Sequence, residues 1–143
     1  MVTADALRWT DARLFDAVLL DAPCSATGTF RRNPDVLWNA RPTDIASLAT
    51  LQRELLDSAA RRVKPGGRLI YSVCSLETEE GEGQSRSFLA AHPDFTIEPV
   101  RPGEAGSPEA SRTAEGWLRI LPHHAPGGLD GFFIARFVRK EGK

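Results

Sequence analysis

Cysteine is scarce in this chain. Cys24 and Cys74 are the only two in 143 residues, which excludes a small scaffold stapled by several disulfides. In a reducing cytosol, two thiols this far apart read as free rather than bridged. Neither has a second Cys or a His at ligand spacing, so no metal site is expected. A dominant charge is missing too: 18 Lys and Arg against 19 Asp and Glu give a formal net charge of −1. That balance excludes bulk attraction to nucleic acid and leaves room only for a local basic patch. No apolar run approaches the roughly 18 residues that a membrane-spanning helix needs. The opening Met1-Val2-Thr3-Ala4-Asp5 has neither the basic start nor the apolar centre of a secretory signal. A cytoplasmic protein with no membrane partner is the expectation. What is present is 41% hydrophobic residues, enough at this length for one domain with its own core.

Phe15-Asp16-Ala17-Val18-Leu19-Leu20-Asp21 is a short apolar run bounded by acids, the pattern of a strand buried on both faces of a parallel sheet. It places a strand at 16–21. Residues 22–42 mix Pro, Ser, Thr, Gly and Asn with three arginines and Trp38, and show no period, so they form a long loop of functional type. Thr43 offers an N-cap, Asp44 suits a first turn, and Ile45, Leu48, Leu55, Leu56 and Ala59 recur at helical spacing. A helix over 44–63 is predicted, stopped by Lys64-Pro65-Gly66-Gly67. Arg68–Val73 reads as the next strand and delivers Cys74 to its end. After the acids Glu77, Glu79, Glu80 and Glu82 come a weaker helix over 82–91 and a strand near 95–100. A mobile loop over 101–115 and two last strands, 117–121 and 131–139, follow. This order predicts an α/β sheet, mostly parallel, with its last two strands as an antiparallel pair at one edge.

In an open α/β sheet, ligands lie beyond the carboxyl ends of the strands, so Asp21–Cys24 and Cys74-Ser75 should line one crevice. Pro23 fixes the backbone as the first strand ends and holds Cys24 at the mouth of the sheet. Free cysteines are usually buried core residues. Two at equivalent strand ends, each followed by Ser, argue instead for a shared site. Hydrolysis by a Ser-His-Asp set is disfavoured: no Gly-x-Ser-x-Gly turn exists, and His123 and His124 sit in a Pro/Gly turn.

Asp21-Ala22-Pro23-Cys24-Ser25-Ala26-Thr27-Gly28-Thr29-Phe30-Arg31-Arg32-Asn33-Pro34-Asp35-Val36-Leu37-Trp38 resembles motif IV of the Fmu/Sun (Nol/Nop/Sun, RsmB-like) family of RNA cytosine-5 methyltransferases. Tyr71-Ser72-Val73-Cys74-Ser75, with the acids after it, is similar to motif VI of that family. Leu121-Pro122-His123-His124 and Asp130-Gly131-Phe132-Phe133-Ile134-Ala135 resemble its closing motif, so the likeness spans nearly the whole chain. The resemblance implies a Rossmann-like methyltransferase sheet, S-adenosylmethionine as cofactor and RNA as partner, with ribosomal RNA the commonest bacterial substrate. It implies that Cys74 is the nucleophile and that Cys24 assists product release. It sets Asp21 beside the flipped base, where it bonds the protonated N3 or amino edge; capping its own turn is the alternative. Arg31 and Arg32 suit phosphate contacts. Trp38 reads as a packing anchor rather than a stacking platform. Cofactor contacts carry over to Asp21, Ala22 and Pro23, and to Asp5 in Val2–Trp9, which resembles the family's third motif.

The Gly-rich turn that opens such a catalytic domain, and the acid that follows on the cofactor ribose, have no counterpart here. Residues 1–143 therefore read as a partial methyltransferase domain, its C-terminal part, in which cofactor binding by the chain alone is expected to be weak. Three explanations stay open: a start codon assigned too late, a true fragment, or a missing half supplied by another chain. In each, the 16–21 strand exposes an apolar edge that favours self-association or a partner strand. A non-catalytic RNA-binding remnant is the alternative function. An amino-methyltransferase is disfavoured, because Cys24 stands where its Asp-Pro-Pro-aromatic tetrad has the aromatic.

Overall fold

Two strands whose burial alternates over residues 67–73 and 132–138 build the centre of the molecule. In the computed structural model, which describes residues 1–101 and 103–142, β2 spans Val63–Val73 and β5 spans Phe132–Arg139. Leu69, Tyr71 and Val73 of β2, and Phe133, Ala135 and Phe137 of β5, are fully buried. The residues between them are half-buried or exposed. A period of two puts every second side chain on one face, and here that face is the core.

The other strands are β1 (Phe15–Asp21), β3 (Phe95–Ile97) and β4 (Leu118–Ile120). The sheet order is β1-β2-β5-β3, with β4 also on β5. β1 and β2 are parallel, whereas β5 runs antiparallel to β2, β3 and β4. Four strands therefore share one direction and β5 alone opposes them, which is the mixed, mostly parallel α/β sheet that the sequence predicts. The antiparallel β4–β5 pair is present, but β5 is interior. Its outer side is divided end to end, Phe137–Arg139 taking β3 and Phe132–Ile134 taking β4.

Three helices follow their local chemistry. α1 (Val36–Asn39) is a single turn with no buried residue, whereas α2 (Pro42–Ala60) and α3 (Glu82–Ala91) cover the core face of the sheet. Leu55, Leu56 and Ala60 of α2 and Phe88 of α3 are buried, and Phe88 lies 4.7 Å from Phe137 and 5.2 Å from Phe95 between ring centres. Each buried Leu or Phe side chain among them contributes about 1.5–3 kcal/mol by leaving water. α2 starts earlier than predicted. Pro42 takes the first helical position with Arg41 as N-cap, because its fixed φ suits a helix start, and Thr43 is already inside.

α2 also ends earlier, at Ala60. Phe15 N–H donates to Arg62 O at 2.7 Å and pairs with Val63, so β2 has begun before Lys64. Lys64-Pro65-Gly66-Gly67 is thus an irregularity inside β2 rather than a helix stop: Phe15 faces Val63 but Ala17 faces Arg68. Gly66 makes that bulge possible, with φ at +75°. Of the expected loop over 101–115, residue 102 lies outside the described residues. The rest holds two 3-10 turns, Glu104–Gly106 and Glu109–Ser111, and Ser111 is buried.

β1 departs from its expected burial on both faces. Val18 and Leu20 pack against the core, while Leu19 is 67% exposed. The helices cover only one face, and β1 is the terminal strand. Trp38 is not a packing anchor: it is 87% exposed on the one-turn α1. Among the described residues, no helix is long and apolar enough to cross a membrane.

Candidate active site

The parallel pairing of β1 and β2 sets Asp21 opposite Ser72, and Ala22 N–H adds a further bond to Ser72 O at 3.0 Å. Both chains therefore leave the sheet together. Two residues on, Cys24 and Cys74 meet, with their sulfurs 3.5 Å apart and both side chains half-buried. The Cys24 thiol is pushed up to about 12, chiefly by burial. The nearby Cys74 and Glu80 charges add to the shift, and a backbone hydrogen bond from Ala26 opposes it.

Beneath the sulfurs lies a carboxylate. Glu80 is fully buried, and its Oε1 accepts hydrogen bonds from Ser25 N–H at 2.9 Å and Gln52 Nε2 at 3.0 Å. Its Oε2 accepts from Ser25 Oγ and Ser75 Oγ, both at 2.5 Å. Gln52 Nε2 also reaches Pro23 O at 2.9 Å, and Tyr71 Oη donates to the Glu80 carbonyl at 2.6 Å. A carboxyl out of water is costly unless its lone pairs are met. Here four donors meet them.

Backbone contacts complete the frame. Gly28 N–H donates to Cys74 O at 3.0 Å, and Leu76 N–H donates to Thr27 Oγ1 at 3.0 Å. Arg119, paired with Glu82, donates to Ser75 O at 2.8 Å. Ala26 holds a left-handed φ of 58°, the sharp turn that swings the chain from Cys24 to Gly28.

The remaining predicted residues fall in different places. The Asp21 carboxylate is exposed and has no hydrogen-bond partner among the described residues, so capping of its own turn is not realised. Ala22 is buried and Pro23 exposed. Asp5 caps a separate turn through Leu7 N–H at 2.9 Å. The segment after it is braced on α2, with Ser58 Oγ donating to Ala6 O at 2.7 Å and Trp9 stacking on Phe15, where β1 starts. No hydrogen bond or ion pair joins Asp5 to Asp21–Cys24 among the described residues. Arg31 and Arg32 are exposed beside Asp130: Arg32 Nε donates to its Oδ2 at 2.8 Å, and Arg31 comes within 3.9 Å. The Arg32 guanidinium holds the Asp130 carboxyl below the usual carboxylate range.

A model of the family described as 16S rRNA methyltransferase RsmB/F matches residues 2–138. The chain belongs to this family. It is 46% identical over 132 residues to ribosomal RNA small subunit methyltransferase B of Sodalis glossinidius, covering 92% of this chain and 28% of that protein. The protein of the same name from Salmonella arizonae is 44% identical over 133 residues, again with 28% of its length covered. Among solved structures, NSun6 from Pyrococcus horikoshii with SFG superposes with a TM-score of 0.74 at 30% identity, covering 99% of this chain and 34% of that one. A methyltransferase homolog protein from Pyrococcus horikoshii gives 0.67 at 32% identity, covering 89% of this chain and 40% of that one. The chain thus spans about a quarter to two fifths of these RsmB/F relatives and structural neighbours.

Within this RsmB/F chain, Glu80 and Gln52 were not found by sequence reasoning. Glu80 sits in a run of acids and Gln52 on a helix, and both patterns normally face water. The available signal was the Ser after each cysteine: two hydroxyls at adjoining strand ends need an acceptor.

Proposed function

We propose that this chain carries the cysteine-bearing part of the active site of an S-adenosylmethionine-dependent methyltransferase acting on carbon 5 of a cytosine in ribosomal RNA. The observation that carries the reading is the 3.5 Å approach of Cys24 and Cys74 at two adjoining strand ends. Membership of an rRNA methyltransferase family supports it.

Carbon 5 of cytosine is a weak nucleophile. Addition of the Cys74 thiolate to carbon 6 moves electron density onto carbon 5, which can then be alkylated. Afterwards the carbon-5 proton must leave and the bond from Cys74 to carbon 6 must break. Cys24, beside Cys74, serves that second stage. The Asp21 carboxylate, unpaired and exposed at the same end, holds the protonated edge of the base. Arg31 and Arg32 face solvent beside the cysteine turn and suit phosphates of the strand that carries the base.

S-adenosylmethionine supplies an electrophilic methyl group when bound. The residues here fit part of it: the free Asp21 carboxylate and exposed Pro23 form one wall, whereas the Ala22 N–H is already engaged by Ser72 O. β1 is the terminal strand of the sheet, and its outer edge suits a further strand.

The test is a chimera in which this chain replaces the matching segment of the Sodalis glossinidius relative. Labelled methyl on carbon 5 of a small-subunit rRNA cytosine is the expected result. RNA binding without methyl transfer, and without cofactor binding, would favour a non-catalytic remnant.

A further inference from the structure

Glu80 touches neither sulfur, yet it joins the two turns that carry them. One oxygen takes both Ser25 Oγ and Ser75 Oγ at 2.5 Å, the residues directly after Cys24 and Cys74. The other takes the Ser25 N–H and the Gln52 amide, which in turn holds Pro23 O. We infer that Glu80 is the positioning residue of the cysteine pair: its buried carboxylate clamps the Cys24 turn to the Cys74 turn and so sets the spacing of the two sulfurs. This rests on the proposed methyltransferase reading for its consequence in turnover, and on geometry alone for the clamp.

The arrangement is specific to a carboxylate. All four neighbours donate, which a singly ionised group with two oxygens accommodates and a buried apolar side chain would leave unmet. Burying such a charge is destabilising in itself, so its presence under a reactive pair points to a local task. That task has an electrostatic side as well. Burial chiefly keeps the Cys24 thiol protonated near neutral pH, and the Glu80 charge adds to that shift. A protonated partner does not compete with Cys74 for carbon 6, and at 3.5 Å it can donate to the Cys74 sulfur as the bond to carbon 6 breaks, the carbon-5 proton leaving to water.

Position and charge separate in two substitutions. In Glu80→Gln the amide still accepts from the Ser25 N–H and Gln52 and can donate to both hydroxyls, so position is kept and charge removed. In Glu80→Ala both are lost. The 143-residue chain is treated with iodoacetamide across pH 6–10, and alkylation of Cys24 is followed by peptide mass spectrometry. Disulfide formation between Cys24 and Cys74 is driven separately with diamide, and each rate is scaled by the Cys24 alkylation rate of the same variant at the same pH. Far-UV circular dichroism checks that each variant is folded at the assay temperature.

At pH 8–10, below its midpoint, Cys24 is expected to alkylate about threefold faster in Glu80→Gln, because more of it is thiolate, with scaled cross-linking within about threefold of the parent. Cross-linking is expected to slow by about tenfold or more in Glu80→Ala, as effective concentration falls with lost orientation. General loosening would instead move both variants alike. A Glu80→Gln alkylation rate equal to the parent at the same pH, or a folded Glu80→Ala cross-linking at the parent rate, overturns the inference. If Glu80→Ala does not fold, Gln52→Leu decides: it removes one donor, and a cross-linking rate equal to the parent overturns the clamp. These measurements need neither RNA nor cofactor, so their failure leaves the methyltransferase reading standing. A chimera inactive on RNA would sink that reading and leave the clamp.

Discussion

Gly131 N–H donates to Gly28 O at 2.7 Å, a backbone bond between the loop after Cys24 and the entry to β5. The approach leaves no room for a side chain. A Cβ on Gly28 would lie 2.9 Å from the Cys74 carbonyl oxygen and closer still to that of Gly131. Gly28→Ala must therefore push the loop off Cys74 and break the Gly28 N–H bond to it. The expected loss is about 2–3 kcal/mol of stability, read by equilibrium urea unfolding, with an altered alkylation rate at Cys74. A loss under about 0.5 kcal/mol would show that the loop relaxes freely.

The two cysteines should fail differently. In the chimera with the Sodalis glossinidius relative, Cys74→Ser should abolish methyl transfer and covalent adduct alike, since a hydroxyl near neutral pH is a far weaker nucleophile than a thiolate. Cys24→Ser should leave adduct formation intact and block its resolution, so a protein–RNA band that survives denaturation should accumulate. Adduct accumulating in Cys74→Ser instead reverses the assignment.

Acid should loosen the arginine loop. Arg32 lowers the Asp130 carboxyl from its ordinary 3.8, so the folded state favours the ionised form. Its stabilisation is fully present above the unfolded value and is lost as pH falls through the lowered folded value. Thermal denaturation from pH 5 to pH 2 should fall more steeply for the parent than for Asp130→Asn. Parallel curves would mean that this exposed pair contributes nothing to stability.

Much of this was legible in the sequence for a local reason. The β1 run and the 82–91 helix are set by side-chain periods within a few residues, and the two Cys-Ser steps fall at strand ends that a parallel sheet must align. What escaped depends on distant partners. Asp130 lies 98 residues from Arg32, and nothing near Arg32 announces that it will be held. Glu80 looks like one more solvated acid beside Glu79. Only the meeting of Ser25, Ser75 and Gln52 around it makes burial tolerable. Lys64-Pro65-Gly66-Gly67 has the composition of a helix stop, yet strand pairing between Phe15 and Val63 had already ended α2. Trp38 misled because aromatic residues usually pack, whereas α1 is too short to bring it to the core.

The chain alone should bind S-adenosylmethionine weakly or not at all. Asp21 and Pro23 provide one wall, and each missing hydrogen bond weakens binding by about 1 kcal/mol or more. Calorimetry that gave micromolar affinity would contradict this. The open side of β1 should also drive self-association: Leu19→Lys should reduce the fraction of dimer in sedimentation at a fixed concentration, and an unchanged profile would place that contact elsewhere.

The interior position of β5 has a bearing on how the molecule comes together during synthesis. Among the described residues, β3 and β4 have no strand neighbour except β5, and the long flank of β2 away from β1 is closed only by it. On a ribosome working from the N-terminus, residues 63–120 must wait, with three strand edges unpaired, until residues 132–139 emerge. The sheet is then completed in one late insertion rather than strand by strand. Such delayed, long-range pairing is slow, and it leaves sticky edges exposed in the interval. A nascent chain paused before residue 131 would hold the Cys74 turn without Gly131 to fasten it, making this the stage at which a chaperone matters most.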